Sequence, residues 1–145
     1  LALQQIAALV VQHGALARMI IGTDMPSGTG VLPLGMLRTI AAVCSMAPIA
    51  PAQALAMATG NTARVYGFNR GRIAPGYEAD MLLLDAPVGA VADDALGALA
   101  MGDLPGIAAV LIDGRVATWV SRNTPPPRRK ARRVETTREV RDAAL

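Results

Sequence analysis

Met19-Ile20-Ile21-Gly22-Thr23-Asp24 is a short apolar run that stops at a carboxylate, and the glycine-rich stretch Pro26-Ser27-Gly28-Thr29-Gly30 follows it. The run reads as a buried strand, and a strand that delivers one acid to its C-terminal mouth is how a parallel barrel builds an active site. Alone, such an Asp is more often a helix cap or a turn former than a catalyst. The order of the flanking elements therefore decides between these readings.

Before the run, Leu3, Ile6, Ala7, Val10 and Val11 recur at helical spacing, and Gly14 is a plausible stop. After it, Pro33 opens a helix whose apolar positions include Leu34, Leu37, Ile40, Ala41 and Cys44 and which ends before Pro48. Residues 51–59 and 61–66 read as two more short helices. Helix, strand, helix is the grammar of a parallel α/β layer rather than a bundle.

The character changes near Gly67. A Pro75-Gly76 turn precedes a strand over 81–84 that Asp85 ends, and Asp93 to Met101 reads as helical. Residues 108–112 and 116–120 flank Asp113-Gly114-Arg115, a compact hairpin signal. The second half is thus a small β module. Beyond Arg122, Pro125-Pro126-Pro127 stiffens the chain ahead of Arg128-Arg129-Lys130-Ala131-Arg132-Arg133, and the stretch to Leu145 has a thin apolar face. That tail reads as mostly disordered.

A chain of 145 residues, 52% apolar with only four aromatics, has enough material for an ordinary core of Ala-, Leu- and Val-rich helices on a sheet. No apolar run reaches the eighteen or so residues of a membrane span. The chain opens at Leu1 in what reads as the middle of a helix, with no charged n-region, so a signal peptide is not expected and a longer polypeptide is. Cys44, the single cysteine, permits neither a disulfide nor a CxxC metal site and fits a reducing cytoplasm. Net charge is +3, yet the tail from Arg122 carries eight Lys/Arg against three Asp/Glu, while the preceding body carries six against eight.

Ile21-Gly22-Thr23-Asp24, the block Ala54 to Gly67 (ALAMATGNTARVYG), the block Gly71 to Asp85 (GRIAPGYEADMLLLD) and Val110 to Val116 (VLIDGRV) together resemble the C-terminal part of an amidohydrolase-superfamily enzyme, over about residues 4 to 119. The loop 25–31 with Pro33-Leu34-Gly35-Met36-Leu37-Arg38 is similar to the enamidase-like, cyclic-amide hydrolase group within it.

The resemblance implies an α/β fold: residues 1–66 as the last strand and helices of a (β/α)8 TIM-like barrel, 67–121 as a small β-sandwich module made from both chain ends, and 122–145 as the basic tail. On that mapping residues 19–22 are the eighth strand, and Asp24 is both the catalytic aspartate and a ligand of a divalent metal, zinc first, with iron or manganese as alternatives. Ser27, Gly28 and Thr29 then line the substrate pocket, although plain loop chemistry accounts for them too. The substrate implied is a small-molecule cyclic amide or enamide.

The family's other metal ligands have no counterpart here. His13, the single histidine, falls on the helix before the strand and reads as a surface or helix C-terminal residue. One carboxylate does not close a site that needs about three protein ligands. The chain alone is expected to hydrolyse nothing, to need the N-terminal part of a barrel, and to self-associate, because Ile20 and Ile21 would lack cover. The alternative is a non-catalytic remnant or interaction module whose basic tail binds an acidic partner or nucleic acid, although no aromatic residue is interleaved with those charges. Asn61 and Arg64 read as a cap or an ion pair.

Overall fold

The computed structural model describes residues 2–23 and 33–134. Helix α1 spans Ala2–Gln12 and closes where the sequence predicts, the amides of Gly14 and Ala15 returning to the carbonyls of Val11 and Val10 at 3.1 and 2.9 Å, the paired bonds of a Schellman end. A 3-10 turn at Leu16–Arg18 follows.

The strand expected at residues 19–22 is not formed. Met19 is extended (φ −83°, ψ 142°), but its neighbours among the described residues are helices. A strand exists through its ladder, and here one bond, from the Ile21 N–H to the Met57 carbonyl at 3.3 Å, stands in for one. Ile21 is half-buried against the core and Ile20 is exposed. The helix–strand–helix layer is therefore helical throughout its described part.

Helix α2 spans Gly35–Met46, starting two residues after Pro33 because Leu34 is left-handed (φ 61°) and breaks the helical path. It buries Leu37, Ile40, Ala41, Val43 and Cys44, one stripe at helical spacing. Helix α3, Pro51–Ala58, has Pro51 in its first turn, and the Gln53 side chain accepts the Ala50 N–H at 3.1 Å. Helix α4, Gly60–Tyr66, follows directly after a break at Thr59. The core joins Ala7 of α1, Ile40 of α2, Ala54 and Met57 of α3, and Leu99 of α5 (Ala95–Ala100), a helix that starts on the Asp94 side-chain cap at 2.7 Å. Through Leu99 the second half of the chain shares the core of the first.

The β module is one antiparallel sheet in the order β1-β2-β3: Met81–Asp85, Gly106–Ile112 and Arg115–Thr118. Met81 pairs Leu111 and Asp85 pairs Gly106, with an irregularity between Leu83 and Leu84. The hairpin turn has two residues rather than three, Asp113 (φ 49°) and Gly114 (φ 72°), and β3 ends before Trp119. Two positive φ values define the turn whose twist suits a hairpin, which is why Asp-Gly occupies it. The turn is pinned from a distance: Asp80 Oδ1 accepts the Asp113 N–H at 3.0 Å, and the Ala79 carbonyl accepts the Gly114 N–H at 3.0 Å. Asp80 also takes Arg70 Nη1 at 3.1 Å, and Arg70 pairs with Glu78. The Ala79-Asp80 and Asp113-Gly114 motifs are thus two halves of one structural joint. The second sheet of a sandwich is not among the described residues.

The tail departs from expectation. Residues 121–129 are docked on the sheet instead of disordered: the Val88 N–H donates to the Pro126 carbonyl at 2.9 Å, the Arg128 N–H to the Ala86 carbonyl at 2.8 Å, and the Ile107 N–H to the hydroxyl of buried Thr124 at 3.2 Å. Prolines favour an extended chain, and an extended chain is what pairs with residues 86–88. Residues 135–145 lie outside the described residues.

Candidate active site

The segment that leads to Asp24 is held at four points within six residues. Asn61, buried in the first turn of α4, donates from Nδ2 to the Leu16 carbonyl at 3.0 Å and to the Met19 carbonyl at 2.8 Å. Arg64, one turn later, donates from Nη2 to the Ala17 carbonyl. The Ile21 N–H bonds to Met57, as above. Both hydrogens of the Asn61 amide are used, and since both partners are acceptors the NH2 end must face them. Sequence reasoning missed this clamp: among the described residues Asn61 and Arg64 make neither a cap nor an ion pair. Its partners are backbone carbonyls more than forty residues earlier, and carbonyls leave no mark in a sequence.

Asp24, Ser27, Gly28 and Thr29, the residues expected to do the chemistry, lie outside the described residues. His13 is exposed just past the end of α1 and its N–H bonds to the Leu9 carbonyl at 3.0 Å, a helix-end placement. Beside the 19–22 segment, α1, α2 and α3 leave an apolar groove of about 190 Å³ whose walls include Ile6, Val10, Ile20, Ile21, Val43 and Met57. Apart from Thr39 its walls are apolar, so the groove offers packing surface and no reacting group.

Among the described residues no three His, Cys, Asp or Glu side chains come together to hold a metal ion. They do not by themselves fit the donor set of a divalent metal, which asks for about three protein ligands. Cys44 is buried, and desolvation pushes its thiol up, away from the thiolate. The strongly shifted carboxylate is elsewhere: Asp85, 4% exposed, accepts Arg129 Nε at 3.0 Å, Arg129 Nη2, and the Arg129 backbone N–H at 2.7 Å. The Arg129 guanidinium holds its carboxyl well below the usual carboxylate range despite burial, and Asp85 in turn raises Arg129. Perturbed groups mark functional sites, but structural ion pairs perturb as well, and this pair fastens the tail.

Comparison with known proteins places the chain. The amidohydrolase family model matches residues 4–118. The chain is 53% identical to enamidase of Eubacterium barkeri over 127 residues, covering 88% of this chain and 33% of enamidase. A shorter stretch of 46 residues is 50% identical to imidazolonepropionase of Rubrobacter xylanophilus, 30% of this chain and 11% of that protein. The crystal structure of enamidase, described as a member of the amidohydrolase superfamily, superposes with a TM-score of 0.86 at 51% identity over 89% of this chain and 34% of that one. The chain spans about a third of the length of the enamidase it matches.

Proposed function

This chain belongs to the amidohydrolase family, and from that premise we propose that it forms the C-terminal portion of a metal-dependent hydrolase that cleaves the C–N bond of a cyclic amide or enamide. The observation that carries the reading is the 53% identity to enamidase over 88% of the chain. The superposition on enamidase supports the superfamily's TIM-barrel fold, and within it residues 19–22 would take the place of a barrel strand beside neighbours from elsewhere in the polypeptide.

In this reading Asp24 accepts a proton from the attacking water and returns it to the departing nitrogen, the task of a carboxylate within hydrogen-bond reach of both. Ser27, Gly28 and Thr29 bind the substrate, through hydroxyls and through backbone amides that a glycine-rich loop lets approach closely. The superfamily's metal, when bound, supplies a Lewis acid and a water of lowered pKa; zinc is the first candidate, iron or manganese the others. Its ligands other than Asp24 would come from the N-terminal part of the barrel, so the chain alone is inactive in this proposal. A small-molecule amide, the N-terminal part of the barrel and a second copy are the partners, and a reducing cytoplasm the compartment.

The test is Asp24→Asn in the whole polypeptide that carries this chain, assayed for opening of cyclic enamides. A fall in kcat of about 10²- to 10⁴-fold is expected for loss of a general acid–base. Full activity in that variant overturns the assignment of Asp24.

A further inference from the structure

We propose that Asn61 is a positioning residue for the reaction centre: its buried carboxamide fixes the segment that delivers Asp24. The inference rests on the functional reading above and extends it to a side chain outside the catalytic loop.

The argument begins with economy of donors. A carboxamide has two N–H groups on one nitrogen, and in Asn61 they reach two carbonyls three residues apart, at 3.0 and 2.8 Å, on either side of the point where the 3-10 turn gives way to the extended run. No other common side chain of that size offers two donors and no charge. An Ala there would leave the Leu16 and Met19 carbonyls without that partner, and an Asp would set a carboxylate against them.

The clamp itself stands on a rigid support. Thr62 Oγ1 bonds the Met57 carbonyl at 2.8 Å, tying α4 back to α3. A Cβ at Gly71 would lie 2.8 Å from the Thr59 carbonyl oxygen, so the chain after α4 presses directly on the α3–α4 break. Asn61 is therefore fixed with respect to the core while the 16–21 segment is fixed with respect to Asn61. In the sequence Met19 lies five residues before Asp24 and Ile21 three, and it is over this short span that the clamp is proposed to act. Misplacing a catalytic group by about 1 Å costs on the order of 10²-fold in rate. Arg64 is exposed and adds a second, weaker tether at Ala17.

The experiment uses the whole polypeptide carrying Asn61→Ala, Asn61→Asp and Arg64→Ala, beside Asp24→Asn. Activity is referred to the folded fraction, and hydrogen exchange is followed on the peptide covering residues 15–23. The Asn61 variants are expected to lose roughly 10- to 10²-fold in kcat with KM within about threefold, and exchange over 15–23 to accelerate while β1 and β2 keep their protection. Arg64→Ala, a surface change that leaves the fold intact, should move both readouts the same way by less. A purely structural Asn61 would lower the folded fraction and leave kcat per folded molecule unchanged; that result, or unchanged exchange over 15–23, overturns the inference. Loss of activity in Asp24→Asn together with intact Asn61 variants overturns this inference alone, whereas activity retained in Asp24→Asn overturns the functional reading.

Discussion

Gly106→Ala tests whether the tail is a packed part of the fold. Gly106 opens the central strand and pairs with Asp85, and a Cβ built there would lie 2.5 Å from both Cα and N of Pro127 and 3.0 Å from the Pro125 carbonyl oxygen. Carbon contacts settle near 3.5–4.0 Å, so the tail must retreat by about 1 Å, and since the blocking atoms are backbone no rotamer change relieves them. The retreat strains three bonds already described: Val88 to Pro126, Arg128 to Ala86, and Ile107 to Thr124. Each is worth roughly 0.5–1.5 kcal/mol net, and overpacking at a close-packed position costs about 1–3 kcal/mol. The two estimates meet near 2–3 kcal/mol. There is also a ceiling, because the chain can always release the tail: the cost cannot exceed the free energy of docking, measured as the stability difference between the full chain and one ending at Ser121. Urea unfolding of all four combinations decides the matter. In the full chain Gly106→Ala should lose about 2–3 kcal/mol, within that ceiling; in the shortened chain it should be neutral, or stabilising by about 0.4–1 kcal/mol through the unfolded state. An equal loss in both backgrounds, or a loss below about 0.5 kcal/mol in the full chain, refutes the packed tail.

Three further outcomes follow from the same structure. Leu99→Ala removes a side chain with no exposure from the core shared by α2, α3 and α5 and should cost about 2–5 kcal/mol; a loss below 1 kcal/mol by urea unfolding would show that the two halves do not share that core. Asp85 has a lowered folded pKa, so its contribution is complete above the unfolded carboxylate value of about 3.9 and is lost as pH falls below it, while Arg129 stays protonated throughout. Unfolding midpoints between pH 6 and 2 should therefore fall more steeply in the parent chain than in Asp85→Asn, and parallel curves would mean that the pair does not form. Cys44, buried with its thiol pushed up, should react with a thiol reagent far more slowly in buffer than in denaturant; comparable rates in both would place it at the surface.

The helices were legible because their signals are local. The apolar spacing of residues 3–11 and 37–44, Gly14, Pro48 and Pro51 all act within one or two turns, and each marks an element the structure contains. The Asp-Gly turn was legible for the same reason. The strand at 19–22 was not, since a strand is a relation between segments, and a run of four apolar residues states its wish to be buried without naming a partner. The tail was misread because composition described its polarity correctly and its destination not at all. Three prolines and a basic run are the mark of a solvated extension, yet here Pro127 fits only because position 106, across the sheet, has no side chain. The Asn61 clamp was hidden for a like reason, its partners being main-chain oxygens.

The charge distribution also changes meaning once the tail is placed. A mildly acidic body and a basic C-terminal segment suggest a segment available to an acidic partner, and phosphate binding needs cations free to neutralise it. Yet the first two arginines of the run are engaged at home. Arg129 closes on Asp85, and Arg128 donates to the Ala90 carbonyl at 2.7 Å and to Asp93 at 3.4 Å. These contacts are unequal. Asp93 is fully exposed, and such a pair in water contributes little, whereas Asp85 is buried and would be left as an uncompensated charge if Arg129 were withdrawn. An acidic ligand competing for the basic run would thus have to break the Arg129 contact and not merely the Arg128 one, and would undock Pro127 from Gly106 as it did so. Two of the eight tail cations are thus engaged within the chain, and the Asp85–Arg129 contact makes the tail the fastening of the β module.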